Sequence, residues 1–507
     1  MSIKSHPKGL YVLFFTEAWE RFSYYGMRAL LVLYLVKHLN MARHNALEIY
    51  ALYTGLVYFT PMIGGYLADK YLGARKAIII GGLVMALGHL AMAFESLLYP
   101  ALGLLIVGNG FFKPNISTIV GGLYEEHDPR RDGGFTIFYM GINLGAFFSP
   151  LVCGTLGENY GWDWGFSAAG IGMTIGLLVF LMGQKILGPK GFPPHTSRER
   201  LIAKDYVDIA VYTAVSVVFV FGFLRFWEFF GPIWQTFSMT HKTAVSAVLI
   251  MAVLSAGKLF SRKSKAVAAT LADSVEDCGD EPVTWEEWQR IIVICIISVF
   301  VIFFWMGFEQ AGGTLTLFAD QQTDRNLMGY EIPASYFQSI NPLAIMLLAP
   351  IFSVLWFRLD ESRYALSTPA KMAAGMITLG IGFIVMYFGQ SLAFSGDTTR
   401  VISMPFTNGF QVFSSDIYWR EFGKVGPMWL AMVYLIHTIG ELCLSPIGLS
   451  MVTKLSPERF VSLMMGIWFV SSALSNYLAG RLEELLSVYQ LNIYVFLIMS
   501  SIGAGIL

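Results

Sequence analysis

Glu17-Ala18-Trp19-Glu20-Arg21-Phe22-Ser23-Tyr24-Tyr25-Gly26-Met27-Arg28 lies within an apolar run from about Tyr11 to Val36. Roughly 20 apolar residues suffice for a helix to cross the hydrocarbon core of a bilayer. An ionisable group near the bilayer centre costs on the order of 2.5–3.5 kcal/mol on insertion scales. The charged groups in this run must therefore face water, pair with one another, or work. Helical steps of about 100° bring Glu17, Glu20, Arg21, Tyr24, Tyr25 and Arg28 onto one face. The opposite side is mostly Phe, Leu and Val, so this span turns a polar stripe inward. The run is too long for a signal-peptide core, is interrupted by charge, and lacks a small-residue cleavage site, so it reads as a retained first span.

The rest of the chain matches that beginning. Of its 507 residues 55% are hydrophobic and 14% charged, against about 25% charged in a soluble domain. Mean hydropathy is +0.58. Hydropathy predicts an N-terminal set of six spans at about 11–37, 46–69, 77–95, 99–123, 133–156 and 164–184. A C-terminal set lies at about 289–318, 332–357, 369–393, 427–452, 461–480 and 488–507, with an extra apolar hairpin at about 206–230 and 242–260. The expectation is an all-α membrane protein of fourteen transmembrane helices: a six-helix bundle over 1–190, a linker with a two-helix insert over 191–288, and a second bundle over 289–507.

Lysine and arginine collect on the cytoplasmic side of membrane proteins. With the N-terminus inside, the inner segments hold most of them, including Lys70, Arg75, Lys76, Arg130, Arg131, Lys185, Lys190, Arg262, Lys263 and Lys265. The outer segments hold only Lys37, Arg43, Lys242, Arg325, Arg400, Arg420, Lys424 and Arg481. That asymmetry supports both the span count and a cytoplasmic N-terminus. The four cysteines are scattered, which suggests neither a disulfide frame nor a metal site. A net charge of −1 gives no reason to expect a nucleic-acid partner.

The remaining charges within spans are few. Lys113 precedes Pro114 in the fourth span, Glu309 sits in the seventh main span, and Glu441 in the tenth. Together with span 1, these are the first helices of four triplets. Repeats of that kind place equivalent helices around one central cavity, so the charges should converge near the midplane. Structural ion pairing is the alternative reading for Glu20 and Lys113, and ordinary packing is the alternative for Trp305 and Trp468.

The loop Gly64-Gly65-Tyr66-Leu67-Ala68-Asp69-Lys70-Tyr71-Leu72-Gly73-Ala74-Arg75-Lys76 resembles the signature loop of the major facilitator superfamily. Glu17 to Gly26 resembles the ExxERFxYYG motif of the proton-dependent oligopeptide transporter family. Phe138-Tyr139-Met140-Gly141-Ile142-Asn143-Leu144-Gly145 is similar to that family's FYxxINxG signature, and Phe112-Lys113-Pro114-Asn115, Phe308-Glu309-Gln310 and Glu441-Leu442-Cys443-Leu444-Ser445-Pro446 follow in order. The resemblance spans roughly residues 10 to 480, and the two-helix insert is similar to that of bacterial members, which implies an inner-membrane location.

That resemblance implies a proton-coupled symporter of di- and tripeptides, with no cofactor or metal. Arg28 and Lys113 would receive the peptide carboxylate and Glu441 the amino terminus. Asn143, Asn341 and Ser445 can hydrogen-bond the peptide backbone, while Tyr25, Tyr58, Trp305 and Trp468 would line side-chain pockets. Glu309 would pair with Arg28 until protonated, and Glu17, Glu20 and Arg21 would form a second proton-sensitive switch beside Lys113. Animal members carry a histidine in the second span, whereas none occurs here between His44 and His89, which shifts proton handling onto carboxylates. An anion carrier would need the cations but not Glu441. An enzyme is disfavoured because no serine elbow, metal pair or cofactor loop is present. A non-transporting receptor stays open, as does the oligomeric state.

Overall fold

Pro7, extended at φ −55° and ψ 135°, starts helix α1 (Lys8–Leu33), which widens into a π-helical turn at Tyr34–His38. Hydrocarbon offers no partners to peptide groups, so a spanning segment satisfies them within itself as a helix. The first half continues with α2 (Arg43–Leu67), α3 (Ala74–Ala91), α4 (Leu98–Gly122), α5 (Arg131–Asn159) and α6 (Trp162–Met182). Helix α7 (Ala203–Thr236) follows, then α8 (Trp285–Phe308), α9 (Thr314–Gln321), α10 (Ile340–Asp360), α11 (Thr368–Ser395), α12 (Pro427–Leu455), α13 (Val461–Val488) and α14 (Ile493–Ile506). This computed structural model describes residues 6–125, 128, 130–192, 201–236, 284–327, 329–363, 365–395, 424–456, 461–489 and 491–507. The expected second insert helix at 242–260 and most of the outer segment 394–426 lie outside the described residues. Residues 1–217 with 289–507 form one compact unit, and 218–288 form another.

Ten described segments are long and apolar enough to cross a membrane. Helix α1 is not among them because of its charged stripe, and α14 because it has 14 residues. Within the first half α1 packs on α5 and α6, and α3 on α4 and α6. In the second, α11 packs on α12 and α14, and the halves meet along α2 with α13 and α5 with α10. Helices in membranes approach closely through small residues. A Cβ on Gly145 of α5 would stand 2.1 Å from the Ala18 carbonyl oxygen, so only glycine permits the α1–α5 crossing.

The seventh main span, expected as one run over 289–318, is broken. After α8 the chain makes a 3-10 turn at Glu309–Gly312, passes Gly313 at φ −117° and ψ −97°, and resumes as α9. Two successive glycines are poor helix formers, and neighbours replace the lost backbone bonds. The Ala311 carbonyl accepts from the Tyr434 hydroxyl at 3.0 Å and from Thr316 Oγ1 at 2.7 Å. Gln310 Nε2 donates to the Ala479 carbonyl at 2.9 Å. A short antiparallel pair, β1 (Asn326–Leu327) and β2 (Tyr330–Glu331), is a small β addition to the expected all-α chain.

The ends of the halves farther from the N-terminus are joined by polar contacts. Glu158, at the end of α5, accepts from the Ala334 amide at 2.9 Å, the Ser335 amide at 3.0 Å and the Ser335 hydroxyl at 2.7 Å. Lys37 pairs with Asp320 at 2.8 Å, Arg43 with Glu483 at 2.7 Å, and Arg481 with Glu48 at 2.9 Å. At the opposite end, buried Arg75 donates to the Lys190, Gln184 and Gly188 carbonyls, and Lys76 pairs with Asp208 at 2.8 Å. The basic signature loop thus clamps the chain that enters α7. Leaving buried donors unmatched costs about 1–3 kcal/mol each, so Glu158→Ala is expected to lower the thermal midpoint in detergent by several degrees relative to wild type. An unchanged midpoint would contradict this account of the seam.

Candidate functional site

Arg28 of α1 and Glu309 at the span-7 break form an ion pair, both buried. Arg28 Nε also donates to the Tyr50 hydroxyl at 2.6 Å, and the guanidinium lies 5.8 Å from the Tyr25 ring centroid. A Cβ on Gly312 would sit 1.8 Å from the Tyr50 hydroxyl and 3.3 Å from Arg28 Nε. The glycine that weakens the helix is therefore also the one that admits the arginine and its tyrosine. Tyr50 is a member of the site that sequence reasoning missed.

This pair lines a cavity of about 280 Å³. Of the expected residues, Tyr25, Tyr58 and Asn143 line it from the first half. Trp305, Asn341, Glu441 and Ser445 line it from the second. Its charged lining groups are Arg28 against Glu309 and Glu441, so one cation faces two carboxylates across the halves. Tyr139, Gln338, Tyr434 and His437 line it too. Tyr139 stood within the FYxxINxG resemblance, whereas the signal for the other three was only polarity within an apolar span. Lys113 and Trp468 are not in the lining. The Lys113 ammonium sits 4.1 Å from the Tyr58 ring centroid, and buried Trp468 packs on Gly448.

The second-half wall is ordered by a short chain of hydrogen bonds. Asn341 Nδ2 donates to Glu441 Oε2 at 2.8 Å and to Thr438 Oγ1 at 3.0 Å. Thr438 donates in turn to the Tyr434 carbonyl at 2.7 Å, one turn back on α12. Asn143 Nδ2 donates to the Tyr139 carbonyl at 3.0 Å.

Glu17, Glu20 and Arg21 cluster apart from that cavity, all buried. Arg21 Nε lies 2.9 Å from Glu17 Oε1 and 2.6 Å from Glu20 Oε2, while Asn109 Nδ2 reaches Glu20 Oε1 at 3.5 Å. Two carboxylates therefore share one guanidinium. Among the described residues no ion pair joins Lys113 to this group, and no group of three or more His, Cys, Asp or Glu side chains could hold a metal ion.

The sequence profile of the POT family matches residues 75–498. The peptide transporter YePEPT of Yersinia enterocolitica is 35% identical over 497 residues, covering 94% of this chain and 87% of its own. Dipeptide and tripeptide permease A of Proteus mirabilis is 31% identical over 495 residues, covering 95% and 87%. A crystal structure of a peptide transporter POT in complex with sulfate superposes with a TM-score of 0.74 at 34% identity, covering 100% of this chain and 94% of that one.

A methyl group at 312 cannot coexist with the present Tyr50 and Arg28 positions. Gly312→Ala is expected to reduce ligand uptake by reconstituted protein about 5- to 150-fold, a loss set by overpacking of about 1–3 kcal/mol. Uptake within twofold of wild type would show that the approach of Tyr50 to Gly312 is not needed.

Proposed function

The chain belongs to the POT family and has the major facilitator superfamily fold, and from that premise we propose that it is a proton-coupled symporter importing di- and tripeptides by alternating access. The observation that carries this reading is the charge layout of one small cavity, with Arg28 on the first half and Glu441 on the second. A zwitterionic peptide presents a carboxylate to one and an ammonium to the other, and so bridges the halves. A monovalent anion has no use for Glu441. The cavity volume, about 280 Å³, lies just under the usual range of ligand sites, roughly 300–1,000 Å³, which suits only short peptides.

Proton coupling rests on Arg28 having two possible anionic partners. Removing one member of a buried pair strands the other at a cost of about 3–5 kcal/mol, so ionised Glu309 holds Arg28 firmly. Protonation neutralises Glu309 and frees the guanidinium for the substrate carboxylate, with Tyr50 still holding its Nε. A ligand shifts a conformational equilibrium only through its differential affinity for the two states. The peptide gains that differential by spanning both halves. Lys113, through its perch on Tyr58, is the second cation within reach of a bound carboxylate, and Glu17, Glu20 and Arg21 form a separate proton-sensitive group because two carboxylates compete for one guanidinium.

The two bundles, 1–190 and 289–507, are the moving bodies in this reading, with 191–288 as linker and insert. The basic inner segments support a cytoplasmic N-terminus in a bacterial inner membrane. Among the described residues, the polar contacts between the halves lie at the Arg28–Glu309 level or at the outer ends, which fits a state closed to the outside.

Reconstituted into vesicles with an alkaline interior, the wild type is expected to concentrate dialanine, and a protonophore to abolish the gradient. Glu309→Gln is expected to lose accumulation driven by the pH difference. Accumulation by this variant at the wild-type level would overturn the role given to Glu309, and binding without flux in the wild type would overturn transport.

A further inference from the structure

We infer that Thr438, which does not line the cavity, is a positioning residue that fixes Asn341 as a hydrogen-bond acceptor for the substrate's ammonium group. The inference rests on the peptide-transport reading and adds to it a residue with no substrate contact of its own. Thr438 is fully buried on α12. Its single hydroxyl hydrogen goes to the Tyr434 carbonyl at 2.7 Å, so toward Asn341, at 3.0 Å, it can only accept. Glu441 Oε2, 2.8 Å from the same amide, is a carboxylate oxygen and also accepts.

Those two acceptors decide which end of the Asn341 amide is which. A side-chain amide has two hydrogens on nitrogen and none on oxygen. With Nδ2 turned toward Thr438 and Glu441, both hydrogens are used. Turned the other way, Oδ1 would face two acceptors with no donor between them. What Asn341 has left to offer the cavity it lines is therefore Oδ1, beside the Glu441 carboxylate. A carbonyl oxygen and a carboxylate side by side suit an ammonium, which carries donors only.

The two anchors differ once a ligand arrives. An ammonium that engages Glu441 competes with Asn341 for the carboxylate, so that hold loosens during binding. Thr438 is out of the ligand's reach and its hold persists. Without it, Asn341 can turn its NH2 toward the incoming cation, replacing attraction with repulsion. Thr438 thus matters for ligands that bear an amino terminus and not for those that lack one.

The test compares dialanine with N-propionyl-alanine, its analogue without the amino group, as competitors of radiolabelled dialanine uptake in proteoliposomes. Thr438→Val is expected to raise the half-inhibitory concentration of dialanine roughly tenfold, as the loss of one hydrogen bond to a charged group implies. N-propionyl-alanine should compete as it does against wild type, which also reports that the variant is folded. Thr438→Ser should restore the wild-type ratio, and Thr438→Ala provides the same contrast should the valine variant fail to insert. Equal weakening of both competitors, or no change in either, would overturn the inference. Wild-type protein that takes up no dialanine would instead sink the transport reading beneath it.

Discussion

Arg28 and Glu309 meet out of water from opposite halves of the protein, and the rest of the architecture makes that contact both possible and breakable. Burying two charges costs several kcal/mol per ion, recovered only with good geometry and further hydrogen bonds. Tyr50 supplies one such bond, and the helix break beside Glu309 brings the carboxylate to it. A pair so placed is a poor means of gaining stability and a good means of exchanging partners. Its acid changes charge with one proton, and its base does not.

The seam at the ends of the halves farther from the N-terminus has a different character. Glu158 there accepts two backbone amides and a hydroxyl, and three further ion pairs join the halves at the same level. Several of these side chains are partly exposed, and exposed ion pairs contribute about 0–1 kcal/mol each. Such contacts close one side without locking it. In the proposed cycle the deep contact carries the proton dependence, and the shallow ones close the end at which they lie.

Much of this was legible in the residues because the bilayer penalises charge. Glu17, Glu20, Arg21, Arg28, Glu309 and Glu441 stood out against apolar spans, and a cost of a few kcal/mol each required an explanation. The structure places Arg28, Glu309 and Glu441 on one cavity and the other three in a separate cluster, a division that position along one helix face could not reveal. Tyr50 and Thr438 were invisible for the opposite reason. A tyrosine or threonine within a span is ordinary packing until a contact distant in sequence gives it a partner. The span-7 break escaped hydropathy because Ala311-Gly312-Gly313 carries no charge and is too short to interrupt the apolar run around it. Lys113 was the natural cation for Glu20, yet it rests on Tyr58, since a four-carbon stem can point its charge to an aromatic face as readily as to a carboxylate.

The central claim is that one arginine passes from Glu309 to the substrate as Glu309 takes a proton. Calorimetric binding of dialanine in buffers of differing ionisation enthalpy counts protons taken up with the peptide and tests that claim directly. The account predicts net proton uptake on binding by wild-type protein near neutral pH, affinity that strengthens as pH falls, and uptake lost in Glu309→Gln. Binding with no proton uptake, or with the same uptake in Glu309→Gln, would contradict it.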